Sequence, residues 1–140
     1  MTKYKSVDLT EHSAYESMLN ALEKVTKQIE YVLVDDDDTR LPDKFSADVI
    51  FKKQVKKWWG TVTSQTCTLY RLYATPALFK YLKRFETFCR LVPTDLDDCP
   101  EQTDFGINDI AFFDGKAEPI LFTVTHEGYI ECRNDFLPKL

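Results

Sequence analysis

The densest group of metal-capable side chains in this 140-residue chain is Asp35, Asp36, Asp37 and Asp38, in "YVLVDDDDTRL" (31–41). A calcium loop needs acids at alternating positions, a glycine at its sharp turn and a closing glutamate. A contiguous run lacks that spacing and cannot aim all its carboxylates at one ion, so no metal site is expected. What remains is a solvated loop or a docking surface for a cationic partner, where exposed acids steer association and set specificity.

Other residue types that could do chemistry fail on spacing. His126 and Glu127 are adjacent, and a histidine beside a carboxylate suits general acid–base work. Neighbours in a turn point in different directions, however, and the only other histidine, His12, lies at a helix start. A small hydrolytic enzyme using His126 and Glu127 is therefore kept as an alternative only. No G-x-S-x-G, H-E-x-x-H or phosphate-cradling glycine motif occurs, and there are only four glycines. No cofactor is expected. "KKQVKKWWG" (52–60) interleaves lysines and tryptophans as a single-strand nucleic-acid surface does, so a nucleic-acid module through Lys52 to Trp59 is the second alternative. Adjacent Trp58 and Trp59 on one strand cannot both point inward, so one of them is free to line a groove or contact a partner. Cys67, Cys89, Cys99 and Cys132 form no C-x-x-C pair, which argues against zinc or redox chemistry and for free thiols.

Composition narrows the class. Hydrophobic residues at 44% and aromatics at 14% suffice for one packed core, so residues 1–140 read as a single domain. Net charge is -5, which disfavours unspecific attraction to nucleic acid or anionic membrane. The N-terminal MTKYKSVDLTEH has no signal-peptide h-region and no run is long enough to span a membrane, so the expected location is cytoplasmic.

The elements that must position these residues follow from periodicity. Tyr15, Met18, Leu19, Leu22, Val25, Ile29 and Val32 recur at helical spacing, with Ser13 and Glu16 as a capping box and Asp8 with Glu11 as a second start. "IEYVLV" (29–34) reads either as the last helical turns or as a β-branched strand. Residues 41–60 read as loop then short helix, with Phe51, Val55 and Trp58 on one face, a strand being the alternative. "TCTLYRLYA" (66–74) reads as a strand. Thr75 as N-cap and Pro76 at the first helical position open a second helix, whose stripe Leu78, Tyr81, Leu82, Phe85, Cys89, Val92 ends at Pro93. An acidic loop (93–106) leads to "NDIAFFD", a turn at Asp114-Gly115, "EPILFTVT", a turn at 126–128 and "YIECR", a three-strand meander. Strands grouped at one end and helices at the other predict an α+β fold, with an antiparallel sheet of about four strands packed by two or three helices.

Charge is divided along the chain. Residues 40–90 hold eleven basic and three acidic residues, and residues 95–140 hold three basic and eleven acidic. Internal pairing of the two blocks, or an acidic surface built for a partner, both fit that layout.

The segment "DIAFFDGKAEPILFTVTHEGYI" (109–130), preceded by "LYRLYATPALFKYLKRFETFC" (69–89), resembles the C-terminal part of bacterial immunity proteins of toxin–immunity systems, including contact-dependent growth inhibition. The resemblance covers roughly residues 57–130 and is one of pattern, without a catalytic motif. It implies a cytoplasmic, non-enzymatic protein that binds a cognate toxin, often a basic nuclease, and covers its active site or substrate path. Partners of that kind would be engaged by Asp35, Asp36, Asp37, Asp38, Asp95, Asp97, Asp98, Glu101 and Asp104, with Trp59 as an exposed anchor.

Overall fold

The computed structural model describes residues 3–33, 42–88, 90–91, 100–101 and 108–136. They form an α+β fold around one seven-stranded antiparallel sheet. Chain order is β1 (Tyr4–Val7), α1 (His12–Glu23), β2 (Gln28–Leu33), a 3-10 helix (Asp43–Asp48), β3 (Val49–Trp58), β4 (Thr61–Tyr73), α2 (Pro76–Leu82), β5 (Arg90–Leu91), β6 (Pro100–Glu101), β7 (Asp109–Phe113), β8 (Leu121–Val124), a 3-10 turn (Thr125–Glu127) and β9 (Tyr129–Arg133). Spatial order in the sheet is β1-β9-β8-β7-β2-β4-β3, and β5 pairs with β6 apart from it. Four strands understate this sheet, and the elements interleave: β4 covers the strand expected at 66–74, but β1 and β3 also lie in the half read as helix and loop.

Tyr15, Met18, Leu19 and Leu22 form the buried stripe of α1, whose spacing of three and four was legible. The capping box is not used. Helix α1 starts at His12 with Glu11 at the N-cap and no side-chain cap, after a turn in which the Thr10 N–H donates to Asp8 Oδ1 at 2.9 Å. It ends at Glu23, and the stripe beyond it belongs to β2. The β-branched run there favours extended backbone, and alternation sends Ile29 to the main core and Val32 to the opposite face. Val25, read as part of the stripe, is exposed.

Helix α2 opens as expected, with Thr75 Oγ1 accepting the Leu78 N–H at 3.2 Å and Pro76 at its start. It stops at Leu82 and not at Pro93. Phe85 and Phe88 remain buried because the chain turns back over α1: the Thr87 hydroxyl donates to the Leu9 carbonyl, and the Phe88 ring meets Tyr15 edge-on at 4.9 Å. Tyr15 also donates its hydroxyl to the Leu82 carbonyl. Cys89 and Val92, the end of the expected stripe, lie outside the residues whose side chains are described.

The two helices cover one face of the sheet, burying Ile29, Tyr31, Leu72, Phe112, Leu121 and Ile130. The other face carries no helix among the described residues. The long β3–β4 hairpin covers part of it by bending back on itself. Val55 pairs with Cys67 but Lys57 pairs with Val62, so β4 carries several more residues than β3 across this step. An irregularity of that kind bends a ladder and raises its twist. The turn at Trp59-Gly60 is thereby brought down onto β8. A Cβ on Gly60 would lie 2.6 Å from Val124 Cγ2, and the backbone there is left-handed (φ 78°). Residues 49–58, read as a short helix, are therefore a strand. The helical spacing of Phe51, Val55 and Trp58 builds no buried stripe there, because β3 is a sheet edge buried mainly at Trp58.

Candidate partner-binding surface

The hairpin's anchoring point is polar. Trp58 is buried, and its Nε1–H donates to Asp109 Oδ2 at 2.8 Å. The other carboxylate oxygen accepts the Thr125 N–H at 2.8 Å and the Thr123 hydroxyl at 3.2 Å. Burial pushes the Asp109 carboxyl above the usual carboxylate range, and these three donors oppose part of that rise. The Thr125 hydroxyl in turn donates to the Asn108 carbonyl, and Asn108 Nδ2 to the Tyr31 hydroxyl at 2.7 Å. The knot joins β3, β7, β8 and the turn after β8, and the space beside it is only about 10 Å³. Its order is that of a structural fastening, with the carboxylate closed off from solvent.

Trp59 is half-buried, its ring centroid 6.1 Å from that of Phe122. Both tryptophans thus pack toward the sheet. The expectation that they diverge assumed a straight strand through both, whereas Trp59 lies in the turn. As an anchor for a partner, Trp59 offers only its uncovered part.

Outside the knot the edge strand β3 is largely exposed and cationic. Lys52, Lys53, Lys56 and Lys57 are all exposed, and none has an acidic partner among the described residues. The Lys52 amine lies 5.6 Å from the Tyr70 ring centre and that of Lys53 5.4 Å from Phe51. Arg71, on β4, differs. Its guanidinium stacks 4.2 Å from the Phe113 ring centre and donates to Glu30 Oε2 at 2.8 Å and Gln28 Oε1 at 3.0 Å. Strand alternation puts Lys52 and Lys53 on opposite faces of the sheet. The lysines therefore flank the edge from both sides and do not make the single basic face that the nucleic-acid alternative requires.

Asp35, Asp36, Asp37, Asp38, Asp95, Asp97, Asp98 and Asp104 lie outside the described residues. Glu101 is placed by its backbone, paired with Arg90 in β6. Glu127 is exposed on the 3-10 turn between β8 and β9, and the groove beside that turn is lined by Gly128 and Tyr129. Of His126 only the backbone, in that turn, is described. Among the described residues no three His, Cys, Asp or Glu side chains converge as a metal site would need. Cys67 and Cys132 are buried, and burial pushes the Cys132 thiol up to about 11, away from reactivity at neutral pH. A cavity of about 180 Å³ lies under the 3-10 helix, between Phe45, Tyr31 and Tyr70. No described helix is long and apolar enough to cross a membrane.

What the reading of residue types missed is the pairing of Trp58 with Asp109. An acid set directly before the apolar run Ile110–Phe113 was the available signal, but nothing in the spacing named its donor. No family model, curated protein or solved structure matches the chain.

Proposed function

We propose that this chain is a binding protein of the immunity type, acting in the cytoplasm on a cognate toxin by covering its active site or substrate path. The observation that carries the reading is the partition of charge. The hairpin 49–73 holds five basic residues and no acid, while residues 95–140 hold eleven acids against three bases. A protein that only needed solubility would intersperse the two signs. Separation on this scale creates fields that steer a charged protein partner and reject others. The pattern of residues 57–130 adds the resemblance to immunity proteins. A cationic partner such as a nuclease, which must hold phosphate, suits the acids at 35–38 and 95–104.

The test is co-expression with the toxin candidate encoded beside this gene, scored by growth and by binding of the purified pair. Reversing Asp95, Asp97, Asp98, Glu101 and Asp104 to lysine should weaken binding at least tenfold, abolish protection and leave the residual binding less salt-sensitive. Reversal of Asp35 to Asp38 should act in the same direction. If both sets bind and protect like wild type, the acidic segments are not the interface.

A further inference from the structure

The described surface with the least internal explanation is the outer edge of β3. This strand closes the sheet on one side, so one row of its backbone N–H and C=O groups has no neighbouring strand among the described elements. Natural edges are guarded with lysine, and Lys52, Lys53, Lys56 and Lys57 do guard this one against another copy of itself. Edge-to-edge pairing of two β3 strands would set lysine beside lysine, and like charges across a ladder are destabilising. Protection alone does not explain the rest of the edge. Ile50 and Phe51, on β3 itself, stand 37% and 40% exposed beside the lysines. Exposed apolar side chains on an edge strand are the usual contacts of an added strand, and protection would replace them with polar ones.

We infer that the β3 edge is a docking site for an acidic, extended segment of another protein, which adds to the sheet as an eighth strand. Charge selects the occupant. The hairpin contains no acid to neutralise its four lysines. Because Lys52 and Lys53 flank the edge on opposite faces, an incoming strand with acids at adjacent positions meets a cation on each side. Backbone pairing supplies affinity, while the lysines and the apolar side chains of Ile50 and Phe51 beside them supply selectivity. The inference rests on the hairpin alone and holds whether or not the acidic segments of this chain bind a toxin.

The experiment uses the full chain and a labelled peptide of about ten residues, the length of a strand such as β3. The peptide is built of Glu, Asp, Val and Thr, with the same peptide carrying Lys for each acid as control. Anisotropy should report binding of the acidic peptide only, weakened at least tenfold by Lys52→Glu with Lys53→Glu and partly by the milder Lys52→Gln with Lys53→Gln. Hydrogen exchange should show β3 amides protected on binding. Binding without β3 protection would reduce the contact to diffuse attraction and overturn strand addition. Tighter binding of an oligothymidylate, lost in the same variants, would reassign the edge to nucleic acid. Dimerisation of the free chain through β3, seen by sedimentation, would reassign it to a second copy.

Discussion

Two aspartates five residues apart respond to pH in opposite senses because their surroundings differ. Asp109 is deeply buried, and desolvation raises its carboxyl despite three donors. Its contribution to stability is fully present below the unfolded carboxylate value of about 3.9 and is lost as pH rises through the elevated folded value. Asp114 sits 2.6 Å from the Arg133 guanidinium and accepts the Lys116 N–H. Burial pushes its carboxyl up, but the Arg133 bond and the Lys116 backbone outweigh this and hold it below the usual range. Asp114 therefore contributes stability above about 3.9 that is lost as pH falls through its depressed folded value. Urea midpoints measured from acid to neutral pH should separate the two. Asp109→Asn should flatten the decline toward neutral pH, and Asp114→Asn should flatten the loss on the acid side. A wild-type slope retained in either variant would remove that residue from the account. Neither role was legible beforehand, since Asp109 and Asp114 flank the same apolar run and only the fold decides which meets an arginine.

At the scale of elements, the turn at Trp59-Gly60 governs the hairpin's course. A side chain on Gly60 would combine left-handed backbone strain with collision against Val124 and Phe122. Gly60→Ala should cost about 2–4 kcal/mol in chemical denaturation, from strain and overpacking together. Gly115 also has positive φ (103°), but an added Cβ there meets only the flexible Lys27 side chain at 3.4 Å. Gly115→Ala should cost less, about 1–2 kcal/mol, and an equal or reversed order would mean that the hairpin tip is not seated on β8. Elements set by local chemistry were readable in advance. The Thr75-Pro76 start of α2, the α1 stripe and the strand Tyr129–Arg133 stand where propensity and capping place them. The strand β3 was readable only as the alternative to a helix, because an exposed edge buries too little to impose a period, and its pairing with β4 is what makes it a strand. The early stop of α2 follows from Thr87 and Phe88 being drawn to Leu9 and Tyr15, a tertiary demand that no helical pattern contains.

For the whole molecule, the sheet order places β2 in the interior, flanked by β7 and β4, and puts β1 and β3 at the rims. Amides of Ile29 and Tyr31, paired on both sides and packed under the helices, should be the slowest to exchange with solvent. Those on the outer side of β3 should be among the fastest in the sheet. Site-resolved exchange in the free protein checks this, and a β3 protected like β2 would mean that the rim is already covered. Fold class and the C-terminal meander were within reach of sequence because hairpins are local. Strand number and order were not, since β2 joins β4 and β7 across long stretches of chain. The expected acidic site is legible as composition alone, while the basic edge came into view only with the sheet. The register that sets Tyr4 opposite Arg133 ties residues from near the two ends of the described chain. Pairings so distant in sequence must await closure of a long loop, which places folding on the order of milliseconds to seconds, with the sheet incomplete until β9 has been made. During that interval the hairpin 49–73, local and early to form, is the part of the nascent protein already able to meet other molecules.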